Sequence, residues 1–129
     1  MEQTVSYDFT QAQEHFSAKQ SFTTGPHELL GMIDRKEDIA IVDVRFPTDF
    51  RKSHIPGAVN LPKGKWQEAK GLSKDKLNVL YCYSQTCHLA AEAALELLAQ
   101  GYRVVEMEGG FATWEANGSP VATPEPKAA

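Results

Sequence analysis

Two cysteines and a histidine lie close together in the chain, in a pattern that could do sulfur chemistry. Cys82 and Cys87 are separated by four residues, and His88 follows directly. The apolar run 77–81 before them predicts a strand, and the alanine- and leucine-rich run 88–100 predicts a helix. In a strand-loop-helix unit, the loop amides and the first helical turn point unpaired N–H groups at one spot, which favours an anion. We therefore expect the pKa of Cys82 to fall from about 8.5 to well below neutrality, which would make Cys82 a thiolate nucleophile.

The composition and charge of the chain exclude several classes of protein. Hydrophobic residues make up 42% and charged residues 23% of the 129 residues, which is ordinary for one globular domain. The formal charge of -4 and the scattered lysines and arginines argue against nucleic-acid binding. No apolar run has membrane-spanning length, and the N-terminal segment lacks the basic start and apolar centre of a secretory signal. We expect a cytoplasmic protein that binds neither a membrane nor nucleic acid.

The two cysteines are too few for a disulfide framework, and the reducing cytoplasm would keep them as thiols. A zinc site would need three or four cysteine or histidine ligands at short spacings, whereas the three other histidines are distant in the sequence. We therefore predict no metal ion and no other cofactor.

The order of the predicted elements indicates an α/β fold. The nearly all-apolar run 39–44 is typical of a strand buried on both faces, and further strands are predicted at 58–61, 77–81 and 103–107, with helical segments between them. This alternation predicts a central, mostly parallel sheet of about five strands with helices on both faces. Ligands of such sheets bind beyond the carboxyl ends of the strands, where Cys82 lies.

We divide the chain into three parts. Residues 1–24 form a predicted helical extension packed on the domain, because the apolar residues of 7–19 are loosely at helical spacing. Residues 25–121 form the domain itself. Residues 122–129 are rich in proline, alanine and charged residues, and we expect them to be disordered. The extension could cap the core or mediate self-association, so a homodimer through this helix is a further prediction.

Several charged residues flank the predicted site. Asp43 and Arg45 lie at the end of the first buried strand, and we expect a structural role for both, since a buried carboxylate needs a cation or backbone amides as partners. His54 lies beside a turn, and we expect it to order that turn by a hydrogen bond. Lys63 and Lys65 lie in a polar loop and could face an anion, although a loop lysine is usually solvated.

Three stretches of the chain together resemble the rhodanese family. The run 43–62, which contains Asp-x-Arg followed by His-Ile-Pro-Gly-Ala, is similar to the family's first signature. The run Leu80-Tyr81-Cys82 with its loop and helix matches the position of the catalytic cysteine, and the run 108–121 matches the closing signature. The resemblance implies a rhodanese-like fold and a sulfurtransferase. Cys82 would take a sulfane sulfur from a donor such as thiosulfate or a persulfide, become a persulfide itself, and pass the sulfur to cyanide or a thiol.

The resemblance also implies that the loop residues bind the substrate. These residues are Tyr83, Ser84, Gln85, Thr86, Cys87 and His88. The loop has the length typical of the family, and His88 stands where related phosphatases and arsenate reductases require arginine, so phosphatase action is disfavoured. Many family members carry glycine where Gln85 stands, and a positive φ would strain the backbone of Gln85. Since no loop side chain is a lysine or arginine, Arg45, Lys63 and Lys65 are the candidate helpers for binding a dianion.

Cys87 leaves two interpretations open. It could pack against the first turn of the helix as a small residue. It could instead be a resolving thiol that attacks a persulfide on Cys82, releases sulfide and leaves a disulfide. The alternative to a sulfurtransferase is therefore a sulfur-relay or thiol-redox partner protein that uses both cysteines, with little turnover of small molecules. The expected partner is a small sulfur compound or a protein persulfide, and a non-catalytic binding module is disfavoured because such modules usually lack the cysteine.

Overall fold

The computed structural model describes residues 6–124 and contains five helices and five strands in that range. In chain order they are α1 (Phe9–Phe22), β1 (Thr23–Thr24), α2 (Pro26–Asp34), β2 (Ile39–Asp43), α3 (Pro47–Lys52), β3 (Val59–Asn60), β4 (Leu77–Tyr81), α4 (Leu89–Ala99), β5 (Arg103–Met107) and α5 (Gly110–Ala116). The four strands expected from the sequence are all present, and their ends differ from expectation by at most one residue. None of the five described helices is long and apolar enough to cross a bilayer.

The five strands form one parallel sheet in the order β1-β5-β4-β2-β3. Strand β4 lies at the centre, where Leu80 is opposite Val42 of β2 and Glu106 of β5. This sheet confirms the predicted α/β fold with about five mostly parallel strands. Because the carboxyl ends of parallel strands meet at one edge, the end of β4 lies in the middle of the edge where ligands bind.

Each face of the sheet has its own hydrophobic core, because successive side chains of a strand point to opposite faces. On one face, Leu80 packs in a cluster with Leu97 of α4. On the other face, Val79 packs in a cluster with Leu29 of α2 and Trp114 of α5. All five of these side chains are completely buried. Burial on both faces explains why the central strands are almost entirely apolar, and it confirms the predicted helices on both faces.

Helix α1 lies outside both cores. None of its residues is buried, and Phe9 and Phe16 are 74% and 59% exposed. The carboxylate of Asp8 accepts a hydrogen bond from a first-turn amide at 2.9 Å. Near the other end of the helix, Lys19 pairs with Glu108 at 3.6 Å. The homodimer through this helix stays a prediction.

The two ends of the sheet domain reach beyond the elements expected from the sequence. Strand β1 falls within the predicted helical extension, and two residues are too few to give a strand pattern. At the other end, Ala122 exchanges two backbone hydrogen bonds with His54, at 3.0 and 2.8 Å, although it was predicted to begin a disordered tail. Residues 125–129 of that predicted tail lie outside the described residues.

Candidate active site

Cys82 follows β4 directly and is 1% exposed. Its thiol donates to the carbonyl oxygen of Cys87 at 3.4 Å, and the carbonyl oxygen of Ser84 lies 3.9 Å away. The Cys87 N–H donates to the Ser84 carbonyl at 3.1 Å, so the loop turns back on itself. On the exposed side of this turn, the hydroxyls of Ser84 and Thr86 are 3.3 Å apart. The loop therefore brings the two cysteines together.

Backbone amides converge on the two sulfur atoms. The N–H groups of Ser84 and Ala90 face the sulfur of Cys82, and those of Tyr83 and Leu89 face the second sulfur. Leu89 and Ala90 belong to the first turn of α4, which has no side-chain cap. Its amides and the positive end of its dipole are therefore directed at the loop. These amides favour the anionic form of both sulfur atoms, and we call the arrangement the anion cradle.

The pKa of Cys82 differs from the sequence-based expectation. Burial, and after it the hydrogen bond with Cys87, raise the pKa of this thiol to about 11, although the amides of Ala90 and Ser84 oppose the shift. The prediction that the pKa of Cys82 falls below neutrality is wrong for this closed loop. Burial destabilises the thiolate more than the two amide N–H groups stabilise it. Cys82 is therefore a protonated thiol at neutral pH.

The pKa of Cys87 shifts in the opposite direction. Burial alone would raise it, but the hydrogen bond with Cys82 and the N–H groups of Leu89 and Tyr83 outweigh burial and lower it. The carboxylate of Glu106 works against this lowering. Of the two thiols, Cys87 is therefore the first to lose its proton as the pH rises.

The start of α5 holds the loop backbone. The N–H groups of Phe111 and Ala112 donate to the carbonyls of the first two loop residues at 2.8 and 2.9 Å. Gly110 has a φ of +61°, and a Cβ at this position would lie 2.5 Å from the backbone nitrogen of Ser84. Glycine is therefore required both for the left-handed backbone and for the close approach of the loop. The closing signature therefore positions the cysteine loop.

Gln85 connects the loop to the same segment. Its side-chain oxygen accepts a hydrogen bond from the N–H of Gly109. Among the described non-glycine residues, a positive φ occurs at Lys36 and Ala69 alone. Gln85 therefore has no positive φ, and the backbone strain that a positive φ would bring is absent.

A buried polar network at the end of β2 is built on Asp43 and Arg45. The Arg45 guanidinium pairs with the Asp43 carboxylate at 2.8 Å and donates to the Ser53 carbonyl at 2.6 Å. The Tyr81 hydroxyl donates to Asp43 at 2.7 Å, and the Arg45 Cζ lies 4.1 Å from the ring centroid of Phe111. The expected pairing of Asp43 with Arg45 is present. These contacts give no support to Arg45 as a helper in anion binding.

Segment 46–54 carries two further contacts that order the site. The Tyr83 hydroxyl donates to the Asp49 carboxylate and accepts from the Phe46 N–H at 3.1 Å. The His54 Nδ1 lies 2.8 Å from the Phe50 carbonyl oxygen, and its ring stacks on the Phe50 ring at 3.8 Å. Tyr83 is therefore held by its side chain as well as its backbone. The His54 ring bonds to α3, and its role in ordering the turn stays a prediction.

The candidate basic helpers pair with carboxylates. Lys63 lies 3.6 Å from Glu92 and Lys65 lies 3.9 Å from Glu68, and all four side chains are exposed. Their role in anion binding stays a prediction. Within residues 6–124, no group of three or more histidine, cysteine, aspartate or glutamate side chains could hold a metal ion.

Two features of the site were missed by the sequence analysis. The first is the support from α5, for which the Gly-Gly pair before a predicted helix was the available signal. The second is Glu106, a half-buried residue of β5 next to the loop. Burial and then Glu108 raise the pKa of Glu106, while exposed His88 lowers it. A glutamate inside an apolar strand was the available signal for this second feature.

A family profile described as "Rhodanese-like domain" matches residues 25–117. The chain belongs to the rhodanese family. The match begins just before α2 and ends just after α5, so it includes the cysteine loop together with the polar network and the helix start that hold it. The predicted resemblance to the rhodanese family is confirmed.

Several curated relatives of this chain are sulfurtransferases by name. A sulfurtransferase of Allochromatium vinosum is 34% identical over 91 residues, which cover 69% of this chain and 83% of the relative. The thiosulfate sulfurtransferase GlpE of Coxiella burnetii is 35% identical over 85 residues, which cover 64% of this chain and 78% of the relative. The probable adenylyltransferase/sulfurtransferase MoeZ of Mycobacterium tuberculosis is 33% identical over 107 residues, but the chain spans 27% of its length.

The fold also matches solved structures. The BH2092 protein of Bacillus halodurans superimposes with a TM-score of 0.82 at 32% sequence identity. The superposition covers 90% of this chain and 87% of that protein. Residues 25–117 make up a smaller share of the chain than this superposition covers, so the structural similarity extends beyond the family match.

Proposed function

We propose that this rhodanese is a sulfurtransferase in which Cys82 carries a sulfane sulfur as a persulfide. In the first half-reaction, the Cys82 thiolate attacks the sulfane sulfur of thiosulfate or of a persulfide, and sulfite or a thiolate leaves with the electron pair of the broken S–S bond. In the second, a thiolate or cyanide attacks the outer sulfur of the Cys82 persulfide, and Cys82 leaves as a thiolate. The names of the relatives support the general activity, and one of them names thiosulfate.

The observation that carries this proposal is the convergence of backbone amides on Cys82 at the start of α4. Both half-reactions produce an anionic sulfur, and fixed N–H groups stabilise such a charge without reorganising. The hydrogen bonds from Phe111 and Ala112 hold the loop backbone at the point where Cys82 emerges. The cradle is therefore built before a donor arrives.

A donor must displace part of the loop to reach Cys82, because the residue is 1% exposed. The contacts of its thiol are with residues 84 and 87, whereas the hydrogen bonds from α5 hold residues 82 and 83. A shift of residues 84–87 would therefore expose the sulfur while its own backbone stays in place. It would also separate Cys82 from the Cys87 hydrogen bond that raises its pKa.

A second candidate function is a sulfur-relay or thiol-redox partner protein with little small-molecule turnover. The observation that favours it is the pair of thiols within one cradle, where thiosulfate finds no lysine or arginine from the loop. Its partner would be a protein persulfide, in the cytoplasm, where both cysteines stay reduced. The two candidates share the Cys82 persulfide and differ in the acceptor.

Sulfur transfer from two donors tests the role of Cys82. We expect the wild-type chain to transfer sulfur from thiosulfate to cyanide and from glutathione persulfide to a thiol. Cys82→Ser should lower both rates at least about a hundredfold, since a hydroxyl cannot form the persulfide. Full activity of Cys82→Ser with both donors would show that Cys82 is not the carrier. A wild-type chain that accepts sulfur from a protein persulfide but barely turns over thiosulfate would favour the relay.

A further inference from the structure

Cys87 occupies part of the anion cradle that a substrate sulfur would otherwise use. Its sulfur faces the N–H groups of Tyr83 and Leu89 and shares a hydrogen bond with Cys82. The side chain is half-buried, in contrast to the fully buried Cys82. If Cys87 only packed against the helix, it would need neither N–H groups that stabilise its thiolate nor access to solvent.

We propose that Cys87 is a second catalytic thiol, which resolves the persulfide on Cys82 and releases its outer sulfur as sulfide. This step rests on the persulfide of the proposed function. The Cys87 thiolate attacks the Sγ of Cys82, so that a bond forms between the two Sγ atoms and the bond to the outer sulfur breaks. The outer sulfur leaves as HS⁻ with the electron pair and its proton. The sulfane sulfur is reduced to sulfide, and the two cysteine sulfurs are oxidised to a disulfide.

The loop geometry suits this attack. The Cys82 sulfur lies 3.4 Å from the carbonyl oxygen of Cys87, and the two thiols are close enough to shift each other's pKa. The turn closed by the Ser84 carbonyl and the Cys87 N–H holds the second cysteine over the first. A disulfide requires its two Cα atoms to lie within about 7 Å, and such a turn keeps residues this near in sequence close together. The amides of Tyr83 and Leu89 stabilise the attacking thiolate.

An external dithiol completes the cycle. One of its thiolates attacks the disulfide at Cys87, the more accessible sulfur, and Cys82 leaves as a thiolate. The second thiolate of the reductant then attacks the reductant sulfur that is bonded to Cys87, and Cys87 leaves as a thiolate. The reductant leaves as a disulfide and both cysteines are reduced again. The chain would thereby reduce sulfane sulfur to sulfide at the expense of a dithiol.

The test treats the full chain, without oxygen, with one equivalent of glutathione persulfide and no other added thiol. Cys82→Ser serves as the blank for sulfide that the donor releases by itself. We expect wild type to release close to one sulfide per chain and to lose two hydrogens in mass, with a peptide cross-link between Cys82 and Cys87. Cys87→Ser should retain one extra sulfur on Cys82 and release sulfide at least about tenfold more slowly.

The outcomes separate this proposal from the proposed function. If wild type retains the extra sulfur as long as Cys87→Ser does and forms no cross-link, the resolving role is overturned while the persulfide carrier stands. If neither protein gains sulfur on Cys82 and wild type forms no cross-link, both proposals fail. If Cys87→Ser does not fold, the wild-type mass alone decides, because the cross-link with release of sulfide supports resolution and a stable extra sulfur contradicts it.

Discussion

Helices α1 and α4 have similar lengths but differ in how they are held. Helix α4 has 11 residues, buries Ala90, Ala93 and Leu97 in the core, and directs its uncapped first turn at the cysteine loop. Helix α1 has 14 residues, buries none of them, and has its own cap at Asp8. Short helices are marginal in water, and most helical stability in proteins comes from the packing of an apolar face. The core therefore fixes the amides at the start of α4, next to the two cysteines, whereas α1 can change without moving them.

Substitution of Asp43 should produce the largest loss of stability, because it acts on the buried network at the end of β2. Asp43→Asn leaves the charge of Arg45 buried without its partner and should lower the free energy of unfolding by about 3–5 kcal/mol. Urea unfolding measures this loss. Glu37→Gln is the matched control, since it breaks the exposed pair with Arg35 and should cost less than about 1 kcal/mol. Equal losses in the two variants would contradict the importance of the buried pair.

Gly110→Ala should disturb the cysteine loop more than it disturbs the fold. The added Cβ meets the loop backbone, whereas at Gly118, which has a similar φ of +71°, a Cβ meets nothing within 4 Å. Both variants carry the strain of a left-handed alanine, about 1 kcal/mol, and Gly110→Ala adds the clash. We expect sulfur transfer to fall at least about tenfold in Gly110→Ala and to be retained in Gly118→Ala. Similar activities in the two variants would show that α5 does not position the loop.

The pH dependence of alkylation should distinguish the two cysteines. The rate for Cys82 should rise between about pH 9 and 11, because burial and then the hydrogen bond with Cys87 raise its pKa to about 11. Cys87 should react at lower pH, and Cys87→Ala should move the Cys82 profile to lower pH. Since the folded pKa of Cys82 lies above its unfolded value, its contribution to stability is present below pH 9 and lost as the pH rises through 11. Peptide mass spectrometry after iodoacetamide pulses measures the rates, and identical Cys82 profiles in wild type and Cys87→Ala would contradict the assignment.

Substitutions on α1 should have the smallest effect on the site. Phe9→Ser combined with Phe16→Ser changes two exposed side chains, so sulfur transfer should stay unchanged and stability should change by less than about 0.5 kcal/mol per residue. If the predicted homodimer forms through this helix, sedimentation should show a dimer for wild type and a monomer for the double variant. A dimer that persists in the double variant would place the contact elsewhere, and a fall in transfer would show that α1 and the loop are coupled.

The fold was largely predictable because its central strands are buried on both faces. Double burial forces nearly continuous apolar runs, such as those of β2 and β4, which stand out in the sequence. The helix after Cys82 was equally plain from its alanine and leucine content. Strand β1 could not be predicted, because its two threonines become a strand through pairing with β5 alone. A pattern of two residues carries no periodicity.

The position of the cysteine loop in the fold was predictable, but the charge states of its two thiols were not. The sequence identified Cys82 and the loop, yet the pKa of Cys82 depends on how deeply the loop closes over it, which is a tertiary property. Gln85 illustrates the same limit. Whether it needs a positive φ depends on how the folded loop turns, and in the structure Gln85 has none.

Both outermost strands of the sheet, β1 and β3, are two residues long. An edge strand presents unpaired N–H and C=O groups on which a second sheet could grow, and very short edges are one way in which proteins prevent this. Strand β4 has a long neighbour on both sides, whereas β1 covers only the last two residues of β5 and β3 covers only the last two residues of β2. Two copies of this chain that met edge to edge could form only a few ladder hydrogen bonds. The short outermost strands therefore work against edge-to-edge growth of the sheet.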